Sequence, residues 1–421
     1  MKQTVIQATK VFGLLVAFYL GLGLVAYWMP DHSVRRHVQQ SLEKGDFQED
    51  YPKAIIRELY DCQDSYTLDN FTDALILNQA VNLRSEGLSG ILLLPRHDEG
   101  IYQYINLKGT ITGSTEGRTV HYGRYWHGST FFARILLSFT SYTGIRYLLY
   151  LFTSLLLLWG LLRLWRTVGG VTTLLMAVSL LLVNVYLMQF SLQFAPVLIL
   201  ALGGIIWLTY HPSSDATVLF FALGSLTTFL DLITVPSITL GLPLLALLAL
   251  RCDSDFKRGF CTVVKVAIAW LVGYGITWLA KWGLATGLTG ANIFADAYGQ
   301  GAEWSRGGYS YIGEAISSNL GFLHWKYIVV ALLILLVTAI FRPNKKGWVP
   351  AALFAIVALV PFAYYVIMAH PALHHAWYNY RALVTAVAGL LLAAASLVDW
   401  QRLIKSQNIH KPCPRKNDAD K

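Results

Sequence analysis

The segment YDCQDSYTLDNFTDA concentrates four carboxylates, Asp61, Asp64, Asp69 and Asp73. A carboxylate held against a substrate hydroxyl can act as a general base. Asp69 and Asp73 are four residues apart, so a helix containing both presents them on one face. Asp69 also stands directly before an apolar run, where it would serve as a helix N-cap, and capping claims it in part. Asp73 then falls in the first turn, where the helix dipole favours an anion. On a surface helix almost any polar residue would do there, so Asp73 is the preferred candidate base and Asp69 the second. The triplet Asn70-Phe71-Thr72 matches a glycosylation sequon. A glycan there would obstruct the neighbouring acids, and the match is read as coincidence.

Three further clusters could bind a substrate. In HYGRYWHG, His121 to Gly128, the rings of Tyr122, Tyr125 and Trp126 are accounted for as membrane-interface anchors. That reading leaves Arg124 and His127 unexplained. A cation, an imidazole and aromatic faces together suit a phosphorylated sugar, so Arg124, Trp126 and His127 are binding candidates. Asp231, in FLDLITVP, is a carboxylate between long apolar runs and a functional candidate by default; the alternative is a helix cap at the mouth of the bundle, in water. In HPALHHAWYNYR, His374, His375 and Arg381 are candidates. Arg381 suits a phosphate because its planar fork is always charged. His374 and His375 are adjacent and do not share a helical face, so a divalent cation is only weakly signalled and stays open as the one cofactor. Lys281, beside tryptophans at a helix end, reads as a snorkelling lysine.

The elements that position these residues are membrane helices. Hydrophobic runs near 11–29, 145–165, 171–187, 195–209, 216–231, 234–250, 261–283, 327–341, 349–369 and 382–399 make about ten spans, by the length a bilayer crossing needs. Arg and Lys gather in alternate loops, at Arg163 and Arg166, at Arg251, Lys257 and Arg258, and at Arg342, Lys345 and Lys346. The other short loops hold only Arg381. This asymmetry places both termini in the cytoplasm and the candidate clusters outside a plasma membrane. The expected fold is an all-α polytopic membrane protein. It has a cytoplasmic N-terminus and first span (1–29), a large extracytoplasmic loop with surface helices and the acidic cluster (30–140), a transmembrane bundle (141–399) with a second outer loop (284–326), and a basic tail (400–421). Ser33 can cap a helix whose Val34, Val38 and Leu42 form a stripe for the membrane surface. The stretch Gly109 to Gly117 reads as turn-rich. Between 216 and 250, a single helix would be about 52 Å long, so the chain breaks at Asp231 and Pro236 into two short helices.

Composition agrees. The chain is 55% hydrophobic and 14% charged, with a mean hydropathy of +0.49, outside the soluble range. The net charge of +9 sits in inward loops and the tail, which suits an anionic inner leaflet and argues against nucleic acid. The first span has no clean cleavage site before Pro30 and reads as a retained helix. Cys62 lies on the outer side and Cys252, Cys261 and Cys413 on the inner, so no disulfide is implied. No repeat is visible.

This layout resembles the GT-C class of membrane glycosyltransferases, which includes protein mannosyltransferases and aminoarabinose transferases. The shared features are an inward N-terminus, one helix, a large first outer loop with acids and a surface helix, then many spans. The segment Tyr125 to Gly128 resembles the His-containing approach to the second helix in several members. The resemblance implies a catalytic acid in the first loop, for which Asp69 and Asp73 are the counterparts. Many members carry an adjacent acidic pair close behind helix one, whereas Asp31 stands alone here. The implied reaction transfers a sugar from a polyprenyl-phosphate carrier to an extracytoplasmic glycan, lipid or protein acceptor, with the bilayer holding the carrier's tail. A transporter or flippase for lipid-linked sugars is the alternative, for which repeats or charges at midplane would be expected.

Overall fold

The computed structural model describes residues 2–47, 68–100, 102–305, 308 and 310–403. Asp61, Asp64, Cys62, Cys413 and nearly all of the basic tail lie outside them. Among the described residues the chain is almost wholly helical. α1 (Lys2–Trp28) is one long apolar helix. Met29 and Pro30 end it, since proline cannot continue the backbone ladder, and α2 (Asp31–Glu43) turns away. A small polar-faced domain follows, made of α3 (Phe71–Asn82), α4 (Gly90–Leu93), strand β1 (Pro95–Asp98), α5 (Gln103–Thr112), strand β2 (Arg118–His121) and α6 (Gly128–Leu137). β1 and β2 pair antiparallel, Pro95 opposite His121 and Asp98 opposite Arg118. The stretch expected to be turn-rich is instead the end of α5 plus a short connection into β2.

The bundle comprises α7 (Tyr142–Val168), α8 (Gly170–Leu182), α9 (Phe194–Tyr210), α10 (Thr217–Leu230), α11 (Ser237–Arg251), α12 (Phe256–Thr289), α13 (Ile293–Ser305), α14 (Ser310–Gly321), α15 (Trp325–Phe341), α16 (Trp348–Ala358), α17 (Val360–Ile367), α18 (Ala369–His374), α19 (Ala376–Asn379), α20 (Val384–Ser396) and α21 (Trp400–Leu403). Five stretches are long and apolar enough to cross a bilayer: α1, α7, α12, α16 with α17, and the chain from Ala376 to Ser396. A sixth is α14 with α15, bent by 81° at its break. The chain is thus an all-α membrane protein. α8 to α11 are apolar but shorter. The break expected at Asp231 and Pro236 lies between α10 and α11. The loop expected over 284–326 is largely helical, as the end of α12, α13 and α14.

Close packing joins the bundle. α11 and α20 are buried on nearly every face, which is why their sequences carry no polar stripe. α10 and α12 approach backbone to backbone: a Cβ on Gly224 would lie 2.0 Å from the Trp270 carbonyl oxygen, and one on Gly273 would lie 2.0 Å from that of Phe221. Val168, Cys252, Asn344, Lys346 and Asp399 line one cavity of about 630 Å³, which gathers the basic loops at one end of the bundle. The 30–140 domain sits on α1, α10 and α12.

α2 does not carry the expected membrane stripe. Val34 and Val38 are buried in protein, in a cluster with Ile76, Leu107 and Leu137, and the helix starts at Asp31, two residues before Ser33. The pin of this domain is Arg134 of α6, fully buried. Its guanidinium donates to the carbonyls of Ala26 (2.8 Å), Met29 (3.0 Å) and Ala80 and to the Asp31 carboxylate. It thereby satisfies carbonyls that the end of α1 leaves without an intrahelical partner. Asp31 also pairs with Arg84 at 3.3 Å, so this lone acid behind the first helix is committed to structure.

Candidate active site

α3 is an interior helix, contrary to the expectation of a surface one: nine of its twelve residues are buried, polar ones included. Asp69 caps it, with Oδ1 accepting the Thr72 N–H at 2.8 Å. The other oxygen, Oδ2, is buried without a hydrogen-bond partner among the described residues. Asp73, 0% exposed, is differently placed. It accepts from the Tyr142 hydroxyl (2.6 Å), the Ser191 hydroxyl (3.1 Å) and the Leu192 N–H (3.0 Å). Burial raises the pKa of both acids; the charge of Asp69 raises Asp73 further, while the Thr72 N–H and the Arg381 guanidinium pull Asp69 down. Arg381, buried in the turn Tyr380–Leu383, thus lies in the field of Asp69. Phe71, Tyr186 and His375 are half-buried; Tyr186 lies in the field of Arg381, and the rings of Phe71 and His375 are 6.3 Å apart.

The Arg124–His127 segment splits into two roles. Trp126 is 1% exposed, donates Nε1–H to the Thr277 carbonyl at 2.9 Å and packs 5.3 Å from the Tyr19 ring. It is packed in the core and not at an interface, and Tyr125 is buried as well. His127 has a left-handed backbone (φ 52°), rare for a side chain of its size. Its Nε2 lies 3.4 Å from Gln79 Nε2, and its Nδ1 is buried without a partner. Burial first, then the charges of Lys281, Arg124 and Arg96, push its pKa well below the usual value. Arg124, its side chain mostly buried, lies over the Tyr122 ring at 4.3 Å and pairs with Asp296 at 3.2 Å. Lys281 does not snorkel. It is fully buried, donating Nζ–H to the Leu92 carbonyl at 2.8 Å, with the Trp126 ring 5.4 Å away.

Asp231 closes the turn between α10 and α11 instead of standing in water. It is 1% exposed and accepts from the Thr234 N–H (3.0 Å), the Thr234 hydroxyl and Gln193 Nε2 (3.1 Å). Ile233 inside this turn has φ 61°, a conformation costly for a β-branched residue. Ile233 lines a cavity of about 640 Å³, whose wall also carries Tyr274, Trp278, Trp282 and Trp304, with Arg124 and His370 among the polar groups. His370 stacks on His374 (centroids 4.1 Å), and His374 Nδ1 lies 2.9 Å from the His370 carbonyl oxygen. Burial lowers the His375 pKa to about 4, with His374 and His370 adding to the shift.

The structure thus couples Asp69, Asp73 and Arg381 electrostatically, packs His375 6.3 Å from Phe71 and brings Arg124 to the cavity. Trp126 is packed in the core, Asp231 closes the α10–α11 turn, and His374 is exposed beside His370. Among the described residues no group of three or more His, Cys, Asp or Glu side chains could hold a metal. No family model, curated protein or solved structure matches the chain. The sequence places His370 at the head of the histidine segment without making it a candidate, and it gives no local signal for Arg96, Tyr142 or Ser191.

Proposed function

We propose that the chain is a GT-C-like glycosyltransferase with about ten spans. It would take a sugar from a polyprenyl-phosphate carrier and pass it to an acceptor outside the plasma membrane, with both termini in the cytoplasm and the 30–140 domain outside. The observation that carries this reading is a buried carboxylate, Asp69, with an unpartnered Oδ2, in the electrostatic field of a buried guanidinium, Arg381, more than 300 residues away in the chain. Asp69 replaces Asp73 as the base, because Oδ2 of Asp69 is uncommitted while both oxygens of Asp73 are taken. In the proposed step the acceptor hydroxyl gives its proton to Asp69 Oδ2 and its oxygen bonds to the anomeric carbon. The bond from that carbon to the phosphate oxygen breaks, and the departing polyprenyl phosphate keeps the electron pair. Arg381 stabilises the charge growing on it.

The test uses the purified protein in vesicles with a radiolabelled polyprenyl-phosphate hexose. Arg381→Ala should abolish consumption of the donor, and Arg381→Lys should reduce it strongly, because lysine keeps the charge but loses the two-pronged fork. Thermal midpoints measured alongside separate this from misfolding. Undiminished donor consumption by a folded Arg381→Ala protein would refute the site. Movement of intact donor across the bilayer without bond cleavage would favour the flippase.

A further inference from the structure

Asp73 is held by a segment far from it in the chain. Ser191 and Leu192 belong to the short connection before α9, and both donate to Oδ1 of Asp73, the hydroxyl at 3.1 Å and the N–H at 3.0 Å. The Ser191 oxygen in turn accepts the N–H groups of Gln193 (3.2 Å) and Phe194 (3.3 Å). A serine hydroxyl has one proton to give, so with both N–H groups directed at its oxygen that proton is committed to Asp73. Ser191 thus joins the start of α9 to α3 through one atom.

The grip is anchored from the other side. Gln193, 0% exposed, donates both hydrogens of Nε2, to Asp231 Oδ1 at 3.1 Å and to the Thr234 hydroxyl at 3.2 Å. Its amide cannot be turned round, because a carbonyl oxygen would then face Oδ1 of Asp231, which already accepts from the Thr234 hydroxyl. Oε1 is left buried with no partner among the described residues, a cost that an apolar side chain of the same length would avoid. Ser191 to Gln193 therefore tie Asp73 to the turn between α10 and α11.

What the grip prevents follows from the chemistry of two neighbouring carboxyls. Asp69 and Asp73 are four residues apart, and side chains at that helical spacing have Cβ atoms about 5–6 Å apart. Burial and the Asp69 charge raise the Asp73 carboxyl above Asp69, so Asp73 keeps its proton where Asp69 has lost its own. With Oδ1 accepting two donors, that proton sits on Oδ2, in the 2.6 Å contact with the Tyr142 oxygen. Left free, a protonated acid beside an ionised one shares its proton with it. The unpartnered Oδ2 of Asp69 would receive it, and the base would be quenched. We propose that Ser191 and Gln193 are positioning residues that hold the Asp73 carboxyl away from Asp69 Oδ2 and so keep the base open for the acceptor hydroxyl. The inference rests on the transferase reading.

The test compares Ser191→Ala and Gln193→Met, each alone and combined with Asp73→Leu, in vesicles with the radiolabelled polyprenyl-phosphate hexose. Ser191→Ala should lower kcat about tenfold, the bias one hydrogen bond gives between the held and the shared carboxyl. KM for the donor should stay nearly unchanged, because Arg381 is untouched. Sharing the Asp73 proton stabilises the ionised pair, so the acid limb of the pH–rate profile should move to lower pH. Gln193→Met, which matches glutamine in length but donates nothing, should act the same way more weakly. It also keeps Ser191 in place should the alanine variant fail to fold. Asp73→Leu removes the carboxyl that would block Asp69, so each double variant should recover the rate and the limb of Asp73→Leu alone. If Ser191 and Gln193 merely stabilise α9, the loss persists or deepens without Asp73, and that result overturns the proposal. So does an unchanged rate and limb in both single variants, or a folded Asp73→Leu that is inactive. A parent protein that consumes no donor refutes the transferase reading. A parent that consumes donor while the double variants stay slow leaves that reading standing and sinks only the positioning role.

Discussion

Asp69 and Asp73 share a helix face, but their surroundings give them different work. Burial raises both pKa values, and the charge of Asp69 raises that of Asp73 further. A base must be deprotonated to act, so activity should rise with pH through the raised Asp69 value and fall away below it. The acid limb of the pH–rate profile is expected above the ordinary carboxylate value of about 4. Asp73→Asn should leave substantial activity and this limb nearly in place, because burial and the Asp69 charge raise the Asp73 carboxyl above Asp69, so that it is already protonated where Asp69 titrates. Asp69→Asn should be inactive at every pH, although Asn caps the helix about as well. An inactive Asp73→Asn beside an active Asp69→Asn would return the base to Asp73. Stability has its own sign. A raised carboxylate favours the protonated fold, so its contribution is full below the unfolded pKa and is lost as pH rises through the folded one. Thermal melts of the parent should therefore weaken with rising pH, and Asp73→Asn should lack that part of the loss. The pairing of the two acids was legible from their spacing. Their difference was not, because the groups that engage Asp73 are 69, 118 and 119 residues away.

At the scale of elements, the α10–α12 contact depends on the absence of side chains. Gly224→Ala would set a methyl 2.0 Å from the Trp270 carbonyl oxygen and 2.9 Å from the Tyr274 nitrogen, both backbone atoms that cannot swing aside. The expected cost is about 1–3 kcal/mol, as for overpacking a tight core, read as a lower thermal midpoint and less folded protein. Gly203→Ala on α9, where nothing lies within 4 Å, should be neutral or slightly stabilising. If both variants melt alike, the helices are not held this closely. Trp126 belongs to the same scale. Packed with Tyr19 and Phe229, it should affect melting when cut to Ala, by about 3–5 kcal/mol, with no specific loss of donor affinity.

For the whole molecule, the decisive measurement is topology. Reporter fusions at Gly90 should read outside and fusions at Ser254 and Lys345 inside. A cytoplasmic reading at Gly90 would put the acid centre and the cavity in the wrong compartment and end the proposed function. The same result would remove the reason for an embedded enzyme, since a carrier lipid presents its phosphate at only one face at a time.

The amino-acid sequence by itself determined the apolar helices and the break at Asp231 and Pro236. An apolar run must satisfy its own backbone in a bilayer, and only a helix does so locally. Hence every apolar run read from the chain is helical, and the turn at Asp231 and Pro236 is where expected. The tertiary structure alone decided which faces meet protein and which meet lipid. Both kinds of face are apolar in this chain, so hydrophobicity could not separate the Val34–Val38 stripe or Trp126, which are core, from Leu279 and Ile367, which are exposed. It also decided the partners of buried charges: Lys281 on a carbonyl, Arg134 on the end of α1 and Arg381 beside Asp69. Such pairings join residues far apart in the chain, and their cost or benefit exists only once the helices have excluded water from between them.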